Sequence, residues 1–379
     1  MKKKILIMYA TYGNGHKSIA NYINDYFSST GEYETMVIDI LDYTNKRFGD
    51  FTSKFYDFTM KYTPFLWEVL YRAADNKPVG KVGAKALSQV VSNKKIKKTI
   101  LDFNPDMVIA THFTAATYIS KLVKNGELST SLISVVTDYK AHQIWLDSVK
   151  TEDALIVNST EEKRKLIRKG VNPSIIKTFG IPISTNYTMS LYDKASLLKK
   201  LKFTGIRPII VFYAGHSSYS LTYLLAMIES KIDADIVFIC GRDEKIKKQA
   251  DSLVKRTGAT NVRVTGFVNN GAEYVFVADF VITKPGGITV TECMCFKKPM
   301  VLIRGNGGQE TDNYRFLVKK GYAIHASWMI KFTHVIKKLT SDTRIIDNME
   351  KNFDKLNKED AMKKLYKLVG EIIEEKKNK

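Results

Sequence analysis

The chain has 379 residues, 44% of them hydrophobic and 26% charged, a make-up that belongs to folded globular proteins and excludes global disorder. At about 150 residues per domain the length predicts two domains, each able to bury its own core. Fifty-nine Lys and Arg against 39 Asp and Glu give a net charge of +20, which asks for an anionic partner, while three cysteines, Cys240, Cys293 and Cys295, are too few for a disulfide framework.

Lys2–Lys4 lead into the short apolar run Ile5–Tyr9, which meets Gly13-Asn14-Gly15 almost at once. That pattern predicts a buried first strand and not a secretory signal. No segment approaches the ~18 uncharged apolar residues of a membrane span, so a soluble or peripheral protein is expected. Gly13-Asn14-Gly15-His16 then opens a helix predicted over Ser18–Phe27, and Thr35–Ile40 is predicted as a second strand. Glycines there let the backbone come close to a ligand, and a helix start offers free N–H groups. The same helix start disfavours an imidazolium, which leaves His16 neutral and able to act as a base; a capping histidine is the plainer alternative.

Between Lys46 and Lys98 twelve basic residues face four acidic ones. Phe48, Phe51, Phe55, Phe58 and Tyr62 recur there at steps of three and four, with Phe65, Trp67 and Tyr71 beyond them. Aromatics on one helical face beside Lys and Arg describe a segment that can lie in a lipid interface. No aromatic RNA-binding motif or zinc spacing occurs, so nucleic acid is not an expected partner. Met107–Ala110, Leu132–Val136 and Ala154–Asn158 follow as buried strands separated by helical stretches. Gly180-Ile181-Pro182 breaks the pattern, which restarts with Pro208–Tyr213, Asp235–Cys240, Val262–Val264, Phe280–Thr283 and Pro299–Ile303. Apolar strands alternating with helices predict an α/β protein of two doubly wound parallel sheets. The boundaries fall at 1–185, 186–345 and a helical tail over 346–379.

A second strand–turn–helix junction, Lys284-Pro285-Gly286-Gly287-Ile288-Thr289, presents backbone amides to an anion, and Glu292, about a turn into the helix, suits the two hydroxyls of a ribose. Gly307-Gly308-Gln309-Glu310 with Asn313 is a polar loop suited to sugar hydroxyls. Asp233-Ala234-Asp235 precedes a strand and reads as a solvated turn, and the Lys-rich stretches after Lys245 and Lys331 read as solvated helix faces.

The order of these motifs, together with Thr137-Asp138-Tyr139, His142, Trp145 and the hinge Phe179-Gly180-Ile181-Pro182, resembles the monogalactosyldiacylglycerol synthase and processive diacylglycerol glucosyltransferase family. The resemblance implies the GT-B fold, two Rossmann-like domains facing a central cleft, with the C-terminal helix returning toward the N-terminal domain. It implies an inverting, UDP-sugar-dependent hexosyltransferase that uses UDP-glucose or UDP-galactose as co-substrate, diacylglycerol as acceptor and no obligatory metal. It also implies a peripheral location on the cytoplasmic face of the membrane, against anionic lipids.

By the same resemblance His16 is the base, with the Asp138 carboxylate as its rival, and Gly13, Gly15, His142, Trp145, Phe51, Phe55, Phe58 and Trp67 lie toward the acceptor and the membrane. Gly215, His216, Phe267, Val268, Gly286, Gly287, Thr289, Glu292, Gln309, Glu310 and Asn313 grip the donor. Ser184 stands where many relatives carry an arginine able to face the diphosphate, and His216 is the candidate to replace part of that charge. The alternatives are an N-acetylglucosamine transferase acting on a lipid-linked peptidoglycan precursor, or a UDP-sugar sensor that binds a protein partner.

Overall fold

The structure is a computed structural model, and it describes residues 2–12, 14–44, 63–75, 94–215, 219–303, 305, 307–326, 328–355 and 360–378. The chain forms two compact units: Met1–Thr185 with Asn306–Asp312 and Lys358–Lys379, and Asn186–Gly305 with Asn313–Asn357.

The first unit is built on six strands, β1 (Lys3–Tyr9), β2 (Tyr33–Asp39), β3 (Met107–Ala110), β4 (Ser131–Val135), β5 (Ala154–Ile156) and β6 (Ile176–Lys177). They form one parallel sheet in the order β2-β1-β3-β4-β5-β6. The helices are α1 (Asn14–Ser29), α2 (Pro64–Ala74), α3 (Lys94–Phe103), α4 (Phe113–Lys124) and α5 (Thr160–Arg168). Both faces of the sheet are covered, so β3 and β4 are buried at every position, as continuous apolar strands require. Met107–Ala110 is a strand as the sequence predicts, whereas α1 begins at Asn14 and so places His16 inside its first turn.

The second unit repeats the plan. Its strands are β7 (Ile209–Tyr213), β8 (Asp235–Ile239), β9 (Val262–Thr265), β10 (Phe280–Thr283), β11 (Met300–Leu302) and β12 (Ala323–His325), in the parallel order β12-β11-β10-β7-β8-β9. Its helices are α6 (Lys194–Lys200), α7 (Tyr219–Glu229), α8 (Glu244–Thr257), α9 (Gly271–Val277), α10 (Gly287–Cys295), α11 (Gln309–Lys319, its residues from Asn313 onward), α12 (Met329–Ser341) and α13 (Thr343–Asn352). Phe212, Phe238, Phe280 and Phe332 are fully buried at its centre. The edge strands β6 and β12 are absent from the sequence prediction. Lys177 in the two-residue β6 and His325 in the three-residue β12 break the apolar run by which the three-residue β5 and β11 are legible.

The grouping differs from the sequence boundaries at two places. Asn306–Asp312 belongs with the first unit, and of the tail only Lys358–Lys379, carrying α14 (Ala361–Lys377), does so, while α13 stays with the second. Inside the first unit Tyr366 of α14 packs on Tyr26, Phe27 and Tyr33, and its hydroxyl donates to Glu32. Among the described residues no helix is long and apolar enough to cross a membrane.

Candidate active site

In the first sheet the chain leaves β1 for β2 on one side and later enters β3 on the other. A doubly wound sheet opens a crevice at that switch point, beyond the carboxyl ends of its strands. His16, from the first turn of α1, and Thr111, just after β3, meet there. His16 Nδ1 lies 2.7 Å from the Thr111 carbonyl oxygen, and Thr111 Oγ1 donates back to the His16 carbonyl at 3.1 Å. A carbonyl only accepts, so Nδ1 carries the ring hydrogen and Nε2 keeps its lone pair. Thr137 Oγ1, 3.1 Å from the same Nδ1, fixes the ring from a third segment.

His112 stands edge-on to His16, with ring centroids 4.6 Å apart, and its own Nδ1 accepts from the Thr114 N–H that it caps. Burial pushes the His16 pKa down to about 4 against the opposing pull of the Thr111 carbonyl. Burial and the neighbouring His16 hold His112 well below the usual histidine range. Both rings are therefore neutral at pH 7, and the arrangement supplies one oriented imidazole lone pair at a helix start.

Asp138 follows Thr137 and is half-buried, with its backbone carbonyl accepting from Asn158 Nδ2. Expected on the acceptor side, His142 has both ring nitrogens engaged by backbone: Nδ1 accepts from Ile144 N–H at 3.3 Å, and Nε2 donates to the Tyr71 carbonyl at 2.9 Å. It braces α2 against the loop after β4. Trp145 is 5% exposed and packs edge-on to Phe113 in the core of the first unit, so its ring does not reach a surface.

The far end of α2 is tied by Asp75, which accepts from Lys140 Nζ at 2.8 Å and Gln143 N–H at 3.0 Å. Within the same unit Glu68 accepts from the Gly308 N–H and from Thr311 Oγ1 at 3.0 Å. Phe51, Phe55, Phe58, Gly13 and His216, and the side chain of Trp67, lie outside the described residues.

The second unit has its own switch point between β7 and β10. Gly215, after β7, has φ +62°, and a Cβ there would lie 2.7 Å from Cε of Lys284, which follows β10. Glycine meets the positive φ without strain, and any side chain there would push the end of Lys284 aside. Gly286 caps α10 without a side chain, and nothing stands within 4 Å of where its Cβ would be. The first amides of α10, around Gly287 and the half-buried Thr289, therefore have no side-chain cap, as an anion-binding helix start requires.

Thr291 Oγ1 bonds back to the Gly287 carbonyl at 2.6 Å, and Glu292, in the second turn, is 7% exposed. Asn313, fully buried, donates from Nδ2 to the Pro285 carbonyl at 3.0 Å and so fixes the loop before α10. After β9, Phe267 is 57% exposed with the Arg242 guanidinium 4.6 Å above its ring, and Val268 is half-buried. Gln309 and Glu310 start α11, and the buried Gln309 Oε1 has no hydrogen-bond partner among the described residues.

Thr111, His112, Glu68 and Arg242 are missing from the site residues named from the sequence, and Thr137 enters there only as part of the Thr137-Asp138-Tyr139 motif. Each of them comes from a segment distant in the chain from the group it meets, so no local pattern marks it.

Two family models match. That described as monogalactosyldiacylglycerol (MGDG) synthase covers residues 16–183, and that described as glycosyltransferase family 28 C-terminal domain covers 220–369. The chain is 27% identical over 360 residues to a processive diacylglycerol beta-glucosyltransferase of Bacillus pumilus, covering 94% of this chain and 91% of the relative. It is 25% identical over 379 residues to the protein of that name from Staphylococcus aureus, covering 97% and 93%. In fold it is similar to the crystal structure of Acinetobacter baumannii MurG, with a TM-score of 0.62, 12% identity and coverage of 97% and 99%. The two six-stranded parallel sheets are those of the GT-B class.

Proposed function

We propose, from the premise that this chain belongs to the family of monogalactosyldiacylglycerol synthases and processive diacylglycerol glucosyltransferases, that it moves a hexose from UDP-glucose or UDP-galactose to the hydroxyl of diacylglycerol with inversion. The observation that carries the reading is the His16 ring. Its Nδ1 hydrogen is held by the Thr111 carbonyl at 2.7 Å, so Nε2 is left as a proton acceptor at the first switch point.

An inverting transfer forms one bond from the acceptor oxygen to the anomeric carbon while the bond to UDP breaks on the opposite side. As the new bond forms, the hydroxyl proton becomes strongly acidic, so even a base whose pKa burial has pushed down to about 4 can take it. The leaving diphosphate needs positive potential, which the uncapped amides of α10 at Gly287 and Thr289 supply. In this reading Glu292 holds the ribose, Phe267 and Val268 the uracil, and Gln309 and Glu310 the hexose. Asp138 is the rival base. The reading requires no metal and places the protein peripherally at the cytoplasmic face of a membrane, with the first unit toward the lipid.

The test is incubation of purified protein with diacylglycerol in anionic liposomes, supplied separately with UDP-glucose and UDP-galactose, with and without EDTA, and mass spectrometry of the lipids. Hexosyl-diacylglycerol from one donor in both buffers is the expected product, and the number of hexoses reports processivity. UDP binding without any glycolipid from either donor would overturn the acceptor assignment.

A further inference from the structure

The second unit carries a surface that the donor site does not use. β12 is one of the two edge strands of its sheet, and the chain leaves its carboxyl end through Ala326 into Trp328 and α12. Trp328 is 80% exposed and Ile330 89%, two of the most exposed large apolar side chains among the described residues. One face of α12 packs inward through Phe332, Ile336 and Leu339, all buried. The opposite face is exposed and consists of Ile330, Lys331, His334, Lys337 and Lys338.

Charge sharpens the picture. From Asn313 to Ser341 the sequence has Arg315, Lys319, Lys320, Lys331, Lys337 and Lys338 and no Asp or Glu. Asp342, the first acid after the helix, is already engaged by Arg344 at 2.8 Å. Alternating charge signs mark a solvated, salt-bridged helix face, whereas a basic amphipathic helix marks a membrane surface. This one is uniformly basic and starts with an exposed tryptophan and isoleucine.

We propose that Trp328, Ile330 and the basic outer face of α12 form a lipid-contact surface of the second unit. Trp328 and Ile330 enter the headgroup–acyl boundary, and Lys331, Lys337 and Lys338 lie against anionic headgroups. An indole suits that depth because it is apolar in body and polar at its N–H, and each lysine near an anionic leaflet strengthens partition roughly fivefold. The surface lies at the carboxyl edge of the second sheet, the edge that also carries Gly215 and the start of α10, because all six strands are parallel. The inference rests on the reading that the acceptor is a membrane lipid. It gives that reading a device for keeping the donor end of the second unit at the lipid surface.

Vesicle binding tests it without donor, acceptor or turnover, so its outcome is separable from that of the transferase reading. Full-length protein is sedimented with vesicles of equimolar phosphatidylglycerol and phosphatidylcholine, and with phosphatidylcholine alone. Trp328→Ser with Ile330→Asp is expected to weaken partition onto the anionic vesicles by about tenfold or more, while UDP binding measured by calorimetry stays at the wild-type value. Lys331→Gln with Lys337→Gln and Lys338→Gln is expected to remove much of the preference for the anionic vesicles.

In brominated-lipid vesicles, quenching of tryptophan fluorescence in the wild type is expected to fall in Trp328→Phe. Unchanged sedimentation of the double variant, or unchanged quenching in Trp328→Phe, overturns the proposal. So does a wild-type dimer in sedimentation velocity that Ile330→Asp dissolves while vesicle binding persists, since the face would then be a contact between copies of this chain.

Discussion

His16 Nδ1 and the Thr111 carbonyl oxygen, 2.7 Å apart and 95 positions apart in the chain, fix which nitrogen of the ring is free to react. The bond needs β1 and β3 side by side, so that the first turn of α1 and the residue after β3 face each other. Thr137 adds a third point of attachment at 3.1 Å, and with it residues that follow β3 and β4 hold a ring carried by the helix after β1.

Removal of the ring tests its role directly. His16→Ala is expected to lower kcat by roughly 10²–10⁴-fold with little change in UDP affinity, as loss of a general base does. Thr137→Val, which keeps the ring but loosens it, is expected to lower kcat by a smaller factor and leave KM for the donor unchanged. Equal loss in Asp138→Asn with little loss in His16→Ala would transfer the base to the carboxylate.

The depressed pKa of His16 has consequences in both activity and stability. Since the ring stays neutral down to about pH 4, the acid limb of kcat/KM is expected well below the ordinary histidine value of 6.5. Between pH 6.5 and 4 the unfolded chain binds a proton at this position that the folded chain does not, so this contribution to stability is lost as the pH falls through that window. Thermal unfolding of wild type and His16→Gln at pH 7 and pH 4.5 checks it: the variant should lose less stability on acidification.

Glu152 shifts in the opposite sense. It is 6% exposed, accepts from Ser134 Oγ at 2.7 Å, and its Oε2 has no hydrogen-bond partner among the described residues. Burial pushes its pKa up to about 7 against the hydrogen bonds from Ser148 and Ser134. The folded state therefore holds a proton between pH 4.5 and 7 that the unfolded state has released, and stability falls as the pH rises through that range. Glu152→Gln should remove this dependence and raise stability at pH 8 by up to about 3 kcal/mol. Chemical denaturation at pH 5 and pH 8 measures both slopes, and an unchanged pH dependence in the variant would contradict the assignment.

Gly215 faces a positive φ and the Lys284 side chain at once. Gly215→Ala is expected to destabilise the second unit by roughly 1–3 kcal/mol and to weaken UDP binding, because Lys284 must move away from the donor end of the sheet. Calorimetric titration with UDP provides the check, and wild-type affinity in a folded variant would show that the loop tolerates the shift.

Glu292, 7% exposed in the second turn of α10, gives a prediction of a different kind. Glu292→Gln should raise KM for the UDP-sugar by about tenfold or more, since a carboxylate accepting from ribose hydroxyls makes stronger bonds than an amide. An unchanged KM would remove it from the donor site.

The amino-acid sequence determined the elements and their order. Runs such as Met107–Ala110 and Phe280–Thr283 are apolar throughout because both faces of a parallel strand are covered, and that property is local. The two strand–turn–helix junctions, at Gly15-His16 and at Gly286-Gly287, are likewise written in consecutive residues. Tertiary structure decided what the side chains do. His142 and Trp145 read as acceptor-side groups, yet one spends both ring nitrogens on backbone and the other sits in the core. The Lys-rich stretch after Lys331 reads as a solvated helix face, yet its helix turns the inward positions Phe332, Ile336 and Leu339 into the core and leaves an exposed face without an acid. His16 could be a cap or a base on its own sequence. Only the carbonyl of Thr111, brought beside it by the pairing of β1 with β3, takes the hydrogen to one nitrogen and leaves the other bare, because hydrogen-bond direction is a property of neighbours in space and not in the chain.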